Sequence, residues 1–143
     1  MAKHPDLLAA LRSMPLFRDC TDDELRQIDA VADEVTVPSG RSLVRQGELG
    51  REFVIIIEGS ATVDRDGTVV ATLGEGAHFG ELALLVDHPR NATVTAATDL
   101  KLQVIDRRGF QNLLDSSPHL TKNLLHSLAK RLSEFDSETS AND

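Results

Sequence analysis

Two hydrophobic periods alternate along the chain, and they predict a strand-rich middle with helices on either side. Thr21 and Glu24 form a capping-box pattern before apolar residues at helical spacing, which predicts a helix over residues 22–33. From Val35 onward the apolar residues form short β-rich runs separated by turn residues, a pattern typical of a sandwich or roll. The predicted strands are 35–37, 42–44, 53–57, 61–64, 68–73, 92–97 and 101–105.

The helical period returns after Asp106 and predicts two further helices. Phe110, Leu113 and Leu114 mark the first of them, and Pro118 separates it from a second helix over about residues 118–134. Four apolar residues of the second helix could form a short seam against a second subunit, or they could pack on the chain's own β region. These residues are Leu125, Leu128, Leu132 and Phe135.

The length of 143 residues fits one domain with one core. We expect this domain to cover residues 1–136, with the β region at about 34–106 and the C-terminal helices at about 107–135. Residues 137–143 are predicted to be a disordered tail, because they are polar and terminal.

Composition narrows the classes of partner and compartment. The formal net charge of -8 gives little support for binding to a phosphate backbone, so no nucleic-acid partner is expected. Cys20 is the single cysteine, which excludes an internal disulfide and fits a reducing cytoplasm. The N-terminus lacks the apolar run of a signal peptide, and no uncharged apolar stretch approaches the about 18 residues of a spanning helix. We therefore expect no membrane association.

The sequence contains little that would support catalysis. His78 and Glu81 beside a β-roll would suit a cupin-like metal enzyme, but no His-x-His pair occurs and the other histidines are scattered. Neither a nucleophile elbow nor a Walker-type loop is present. We predict no metal, no prosthetic group and no enzymatic activity.

Candidate chemistry is concentrated in the stretch from Phe79 to Ala96. Gly80 and Glu81 are expected at the first turn of a short helix, where free backbone N–H groups favour an anion. The planar guanidinium of Arg90 can bind two phosphate oxygens at once, whereas an ionised Glu81 only accepts hydrogen bonds and suits a ribose hydroxyl. Taken alone, a Glu and an Arg are more often a surface ion pair, but the small and apolar residues around them favour a nucleotide site.

At these residues the chain resembles the cyclic-nucleotide-binding domains of catabolite-activator-type regulators, kinase regulatory subunits and gated channels. The phosphate-binding cassette of that family reads approximately F-G-E-x-A-L, a variable loop, then R-x-A-T-V-x-A. The matching positions are Phe79, Gly80, Glu81, Ala83, Leu84, Arg90, Ala92, Thr93, Val94 and Ala96. The resemblance covers about residues 16–135, with turn and strand positions upstream that include Gly40, Gly47, Phe53 and Gly59.

The resemblance implies a mainly β fold with flanking helices: a double-stranded β-helix, or jelly-roll-like β-roll, with N-terminal helices and two C-terminal helices. It also implies that Arg90 binds the exocyclic phosphate oxygens and Glu81 the ribose 2'-hydroxyl, assisted by backbone N–H groups of Ala83 and Ala92. The predicted ligand-binding residues are Phe79, Gly80, Glu81, Leu82, Ala83, Arg90, Asn91 and Ala92. Relatives often cover the purine from the terminal helix, for which Leu124, His126 and Phe135 are candidates.

The predicted function is a stand-alone, cytoplasmic cyclic nucleotide sensor. We expect it to bind cyclic AMP rather than cyclic GMP, although Asn91 leaves the base open, because relatives often carry Ala, Ser or Thr at that position. Ligand occupancy would pass through the C-terminal helices to an unidentified protein effector, and a homodimer through the last helix is an option. The alternatives are a structural or assembly domain with a degenerate nucleotide site, and a cupin-like β-roll enzyme.

Overall fold

The computed structural model describes the backbone of residues 5–142 and the side chains of residues 7–81 and 84–133. No helix in that part of the chain is long and apolar enough to cross a membrane. Within residues 5–142 the elements are two N-terminal helices with a 3-10 helix between them, a middle of eight strands interrupted by a short helix, and two C-terminal helices.

The N-terminal region consists of helix α1 (Pro5–Arg12), a 3-10 helix (Pro15–Phe17) and helix α2 (Asp22–Val31). The predicted capping box of α2 is present, with the Thr21 side chain and Glu24 each bonded to the other's backbone N–H. The predicted end of this helix at residue 33 is wrong, because the backbone is already extended at Ala32 and the first strand follows directly.

Eight strands form two antiparallel four-stranded sheets. The strands are β1 (Asp33–Val37), β2 (Ser42–Val44), β3 (Glu52–Glu58), β4 (Ala61–Arg65), β5 (Thr68–Leu73), β6 (His78–Phe79), β7 (Thr93–Ala96) and β8 (Leu100–Asp106). One sheet has the order β1-β8-β3-β6 and the other the order β2-β7-β4-β5. This arrangement of antiparallel strands with flanking helices confirms the predicted β-roll fold. Each predicted strand is present with ends shifted by at most two residues, whereas the two-residue strand β6 was not predicted.

Strand β3 separates two hydrophobic cores, because successive side chains of a strand point to opposite faces. Val54 and Ile56 belong to the core between the two sheets. Phe53 and Ile55 point the other way and pack against the helices. Since β6 pairs with β3 in the register Ile55↔His78, the residues that follow β6 lie where the roll meets the helices.

The candidate cassette begins at this junction. Gly80 has φ of 101°, a backbone conformation that favours glycine, and it turns the chain from β6 into helix α3 (Glu81–Leu85). The short helix predicted at Gly80 and Glu81 is therefore present.

Two C-terminal helices complete the fold. Helix α4 (Arg107–Ser116) is capped by the Asp106 carboxylate and ends before Ser117, and helix α5 spans Pro118–Asn142. Helix α5 packs on the 3-10 helix and on α4. It continues beyond the predicted end near residue 134 and includes residues 137–142 of the predicted tail, since neither Gly nor Pro occurs after Pro118 to end it. Asp143 lies outside the described residues.

Candidate functional site

Arg90 is fixed to the β-roll by its backbone. Its N–H donates to the carbonyl of Glu48 at 2.8 Å, and its carbonyl accepts from the N–H of Gly47, also at 2.8 Å. A bridge between Leu49 and Pro89 continues this pairing. These bonds join the loop before β3 to the loop before β7 at Arg90, the residue predicted to bind the phosphate.

The Arg90 side chain lies between two glycines. A β-carbon on Gly50 would fall 1.8 Å from Arg90 Nε, and one on Gly80 would fall 2.7 Å from Nη1 and 2.5 Å from the Glu52 carbonyl oxygen. Arg90 Nη2 donates to that same Glu52 carbonyl at 2.9 Å, and the residue is only 8% exposed. The guanidinium therefore occupies space that exists because both neighbouring residues lack a side chain.

A buried guanidinium held in this way favours an anion. Burial lowers the pKa of Arg90, and the charges of Glu52 and Glu81 partly oppose that shift. Arginine nevertheless remains charged in proteins. Its Nε is buried without a hydrogen-bond partner among the described residues, and the bond from Nη2 goes to a neutral carbonyl. A phosphate oxygen would supply the missing acceptor and would place a negative charge in direct contact with the guanidinium.

Glu81 is also buried, with 2% exposure, and side chains from two other elements contact its carboxylate. Its Oε1 accepts a hydrogen bond from Arg131 of α5, while its Oε2 faces His78 Nδ1 at 3.6 Å. Burial raises the pKa of Glu81, but the neighbouring His78 imidazole, the charge of Arg131 and the backbone N–H of Glu81 itself outweigh it and lower the pKa overall. Glu81 is therefore ionised and can act as a hydrogen-bond acceptor at neutral pH.

One cavity of about 610 Å³ connects these groups. Polar side chains stand at one side, and an apolar wall from the second sheet stands at the other, which is the usual composition of a small-molecule site. Helix α5 supplies three further lining residues. The apolar wall consists of Val44, Val63, Val70, Ala71, Leu73 and Val94, and α5 contributes Leu128, Arg131 and Leu132.

The structure brings most of the predicted site residues into this cavity. Those that line it are Phe79, Gly80, Glu81, Arg90, Asn91 and Ala92. Leu82 and Ala83 lie in α3, and their side chains are outside the described set. The assignment of all eight as ligand-binding residues stays a prediction, now with a common location for six of them.

Helix α5 contributes residues that sequence reasoning did not find. Of the proposed base-covering candidates, Leu124 is buried in the helix-side core, His126 is exposed away from the cavity lining, and the Phe135 side chain lies outside the described residues. Arg131 reaches the cavity instead, from a position 50 residues after Glu81. No local pattern marks such a residue, because its place depends on how α5 packs.

His78 was considered only as a metal ligand, and its neighbours do not form a metal cluster. Over the described side chains, no group of three or more His, Cys, Asp or Glu residues could hold a metal ion. His78 instead lies beside Glu81 as a second polar group of the cavity lining.

Comparison with known proteins gives this site a family. The model of the cyclic nucleotide-binding domain matches residues 34–117, which include the β-roll except its first residue, Asp33, together with the cassette and α4. The chain belongs to the cyclic nucleotide-binding domain family, as its resemblance at the cassette predicted. It is a cyclic nucleotide-binding regulatory domain related to the regulatory subunits of cyclic-AMP-dependent kinases.

Relatives of known sequence include kinase and channel proteins. The cAMP-dependent protein kinase regulatory subunit of Yarrowia lipolytica is 42% identical over 107 residues, covering 73% of this chain and 28% of that protein. A cyclic nucleotide-gated potassium channel of Mesorhizobium japonicum is 38% identical over 110 residues, covering 77% of this chain and 30% of the channel. The chain thus spans less than a third of the length of these curated relatives.

Solved structures give the same family at the level of the fold. The catabolite activator protein of Thermus thermophilus superimposes with a TM-score of 0.83 at 30% identity, covering 88% of this chain and 62% of that one. The regulatory domain of Toxoplasma gondii PKA in complex with cAMP superimposes with a TM-score of 0.77 at 29% identity, covering 91% and 49%.

Proposed function

We propose that this domain senses cyclic AMP in preference to cyclic GMP and passes ligand occupancy through α4 and α5 to a protein partner. The observation that carries the proposal is the shared cavity: Glu81 and Arg90 of the β-roll and Arg131 of α5 line one space. A ligand that binds the first two residues therefore lies in the same space as the third.

The phosphate of the ligand is assigned to Arg90. The guanidinium is buried, positively charged and only partly hydrogen-bonded, so a cyclic phosphate would complete its coordination. A fork of parallel N–H donors matches two phosphate oxygens. The flanking Gly50 and Gly80 leave room for the guanidinium beside the backbone.

The ribose is assigned to Glu81. An ionised carboxylate accepts a hydrogen bond from the 2'-hydroxyl, and the pKa of Glu81 is lowered into the range that keeps it ionised. In the structure one carboxylate oxygen already pairs with Arg131. A bound ribose hydroxyl would compete with that pair or rearrange it, which changes how α5 is held.

The base is assigned to the apolar wall and α5. Val63, Ala71 and Leu73 offer a surface for a purine face, and Leu128 and Leu132 approach from the helix. The preference for adenine is supported by the related proteins, whose names include cAMP-dependent kinase regulatory subunits and a cAMP-bound regulatory domain.

Transmission to a partner is assigned to α5. A ligand shifts a conformational equilibrium only by its differential affinity for the two states, and the Glu81–Arg131 pair is a contact that ligand binding changes. Ligand and partner must then alter each other's affinity by the same factor. The partner is a cytoplasmic protein effector in this proposal, and the domain itself performs no catalysis.

Self-association through α5 stays an option within this proposal. Leu125 and Leu132 are exposed on α5 by 63% and 62%, so they are available to a second copy or to the effector. Sedimentation of the purified protein with and without nucleotide distinguishes these uses, because only self-association changes the mass.

The binding proposal is tested by isothermal titration calorimetry with cyclic AMP, cyclic GMP and 5'-AMP. We expect saturable binding with cyclic AMP tighter than cyclic GMP, and much weaker binding of 5'-AMP, which lacks the cyclic phosphate. Equal binding of cyclic AMP and 5'-AMP would contradict selectivity for the cyclic phosphate. Heat signals at baseline for all three ligands would favour a structural or assembly domain.

A further inference from the structure

His78 is a polar residue of the cavity that the function derived above does not use. It lies in β6 opposite Ile55 of β3, and its side chain is 12% exposed. The imidazole packs against the ring of Phe53 with centroids 5.5 Å apart, and Phe53 stacks on Phe110 of α4 at 4.8 Å. These ring contacts fix the position of the imidazole from behind, so that its Nδ1 faces Glu81.

The facing atoms of His78 and Glu81 are both incompletely bonded. Nδ1 of His78 and Oε2 of Glu81 lie 3.6 Å apart, slightly beyond hydrogen-bond distance. Both atoms are buried, and among the described residues neither has another hydrogen-bond partner. Buried polar atoms without partners are rare in folded proteins and destabilising, so a small approach that joins these two is favoured.

When one oxygen of a carboxylate accepts a hydrogen bond from a ribose hydroxyl, a donor to the other oxygen fixes the orientation of the carboxylate. Glu81 Oε1 now accepts from Arg131, whose side chain is 54% exposed and belongs to the helix proposed to move. A hydrogen-bond donor on the β-roll would keep the Glu81 carboxylate oriented and hydrogen-bonded even when α5 moves. Of the other side-chain donors that line the cavity, Arg65 bonds the Asn91 carbonyl, and Arg90 bonds the Glu52 carbonyl and lies within the phosphate region. His78, which already faces Glu81, is the donor that fits this role.

We propose that His78 is a positioning residue for ribose recognition: it donates its Nδ1–H to Oε2 of Glu81 and so orients Oε1 toward the 2'-hydroxyl of the nucleotide. This inference rests on the proposed cyclic nucleotide function and adds a residue to it. It assigns His78 an action through Glu81 alone, with no contact to the phosphate or the base.

The experiment compares two ligands that differ by the group that Glu81 recognises. Cyclic AMP and 2'-deoxy-cyclic AMP are titrated into the wild-type protein and into two variants, His78→Phe and His78→Asn. Phe keeps a ring against Phe53 but has no donor, whereas Asn keeps a donor near the Nδ1 position but loses the ring. Thermal unfolding of each variant measures the cost to packing separately.

We expect the wild-type protein to bind cyclic AMP about tenfold to a hundredfold more tightly than the 2'-deoxy ligand, the range for one hydrogen bond to a charged group. His78→Phe should reduce this ratio to within about threefold while binding of the 2'-deoxy ligand stays near the wild-type value. His78→Asn should retain most of the ratio even where it lowers the unfolding temperature. The ratio thus follows the donor and not the ring.

Two outcomes would overturn the inference without affecting the proposed function. One is a ratio in His78→Phe equal to that of the wild-type protein. The other is an equal loss of affinity for both ligands in both variants, which would show that His78 only supports packing. A wild-type protein that binds neither nucleotide would instead overturn the proposed function, and the role of His78 with it.

Discussion

The two ends of the cavity are held by different kinds of contact: mainly backbone groups at the phosphate end and side chains at the ribose end. At the phosphate end, Arg90 is held by backbone pairing to Gly47 and Glu48, by a bond to the Glu52 carbonyl and by the absence of a side chain at Gly50. At the ribose end, Glu81 is held by the side chains of residues on other elements, one of them on the last helix.

Because of this difference, we expect the phosphate end to determine affinity and the ribose end to transmit ligand occupancy. Backbone contacts within a β-roll change little unless the fold changes, so the phosphate end is preorganised for an anion. Arg131 is half-exposed, so its ion pair with Glu81 exchanges with solvent or ligand more readily than a backbone hydrogen bond does, and the ribose end can respond to ligand. The same molecule therefore combines a rigid binding end with an exchangeable end that reaches α5.

Removal of Arg90 should give the largest effect, because the phosphate end supplies most of the affinity. We expect Arg90→Ala to weaken cyclic AMP binding by about 2 to 5 kcal/mol, the cost of stripping the partner from a desolvated charge. Arg41→Ala removes an exposed arginine outside the cavity and serves as the control. Calorimetry that finds Arg90→Ala within threefold of the control would contradict the phosphate role.

A methyl group on Gly50 should give the next largest effect. The added carbon would lie 1.8 Å from Arg90 Nε and 2.1 Å from Cζ, so Gly50→Ala must displace the guanidinium. We expect a loss of binding of about 1 to 3 kcal/mol, typical of overpacking, with Arg90 itself unchanged.

Gly74→Ala is the matched control, since a β-carbon there meets nothing within 4 Å. Equal affinities of the two alanine variants would show that the phosphate end tolerates movement of Arg90 and is not rigid.

Loss of Arg131 should act on the helix more than on affinity. We expect Arg131→Ala to destabilise the docked position of α5 by about 1 kcal/mol, since its pair with Glu81 is partly solvated. Faster amide hydrogen exchange in α5, with little change in the cassette, is the predicted readout. Lys130→Ala alters the exposed neighbouring residue and serves as the control. Equally fast exchange of α5 in that control would show that the Arg131–Glu81 pair does not hold the helix.

The exchangeable end also needs a fixed start for α5, which Glu24 provides. Its carboxylate accepts hydrogen bonds from the Ser117 hydroxyl and from His119 Nδ1, the latter at 2.7 Å, at the junction of α4 and α5. Burial raises the pKa of Glu24, but hydrogen bonds from Ser117, Thr21 and His119 outweigh it and lower the pKa from 4.5 to about 2.

A lowered carboxyl pKa sets the sign of the pH dependence. The ionised Glu24 stabilises the fold fully above its ordinary value of 4.5, and this stability is lost as pH falls toward about 2. We expect Glu24→Gln to lower the free energy of unfolding by about 0.5 to 1 kcal/mol at neutral pH. The variant should also lose less of its free energy of unfolding than the wild-type protein as pH falls through this range. Denaturant unfolding against pH tests this, with Glu75→Gln as an exposed control; parallel curves for all three proteins would contradict it.

The contrast between the two ends also explains what the sequence could predict. Arg90 and Glu81 belong to one short stretch of chain with a motif, and the alternation of strands from Val35 onward marks the β-roll around it. Both are local signals, and both predictions of fold and family are confirmed.

Tertiary contacts carry no comparable signal. Gly50 has no positive φ that would mark a turn, and its importance appears only when Arg90 folds over it. Strand β6 is two residues long, which is too short to show an alternation of apolar and polar residues. The position of His78 beside Phe53 therefore could not be predicted from the sequence. Arg131 is one of several charged residues on α5, and only the docking of that helix distinguishes it.

The most direct test of the account is hydrogen exchange measured by mass spectrometry on the protein with and without saturating cyclic AMP. The account predicts slow exchange around Arg90, β3 and β8 in both conditions, together with a clear change of protection in α5 on binding. Bound nucleotide with unchanged exchange in α5, or a loop at Gly47 to Gly50 that becomes ordered only with nucleotide, would contradict the division between a rigid end and an exchangeable one.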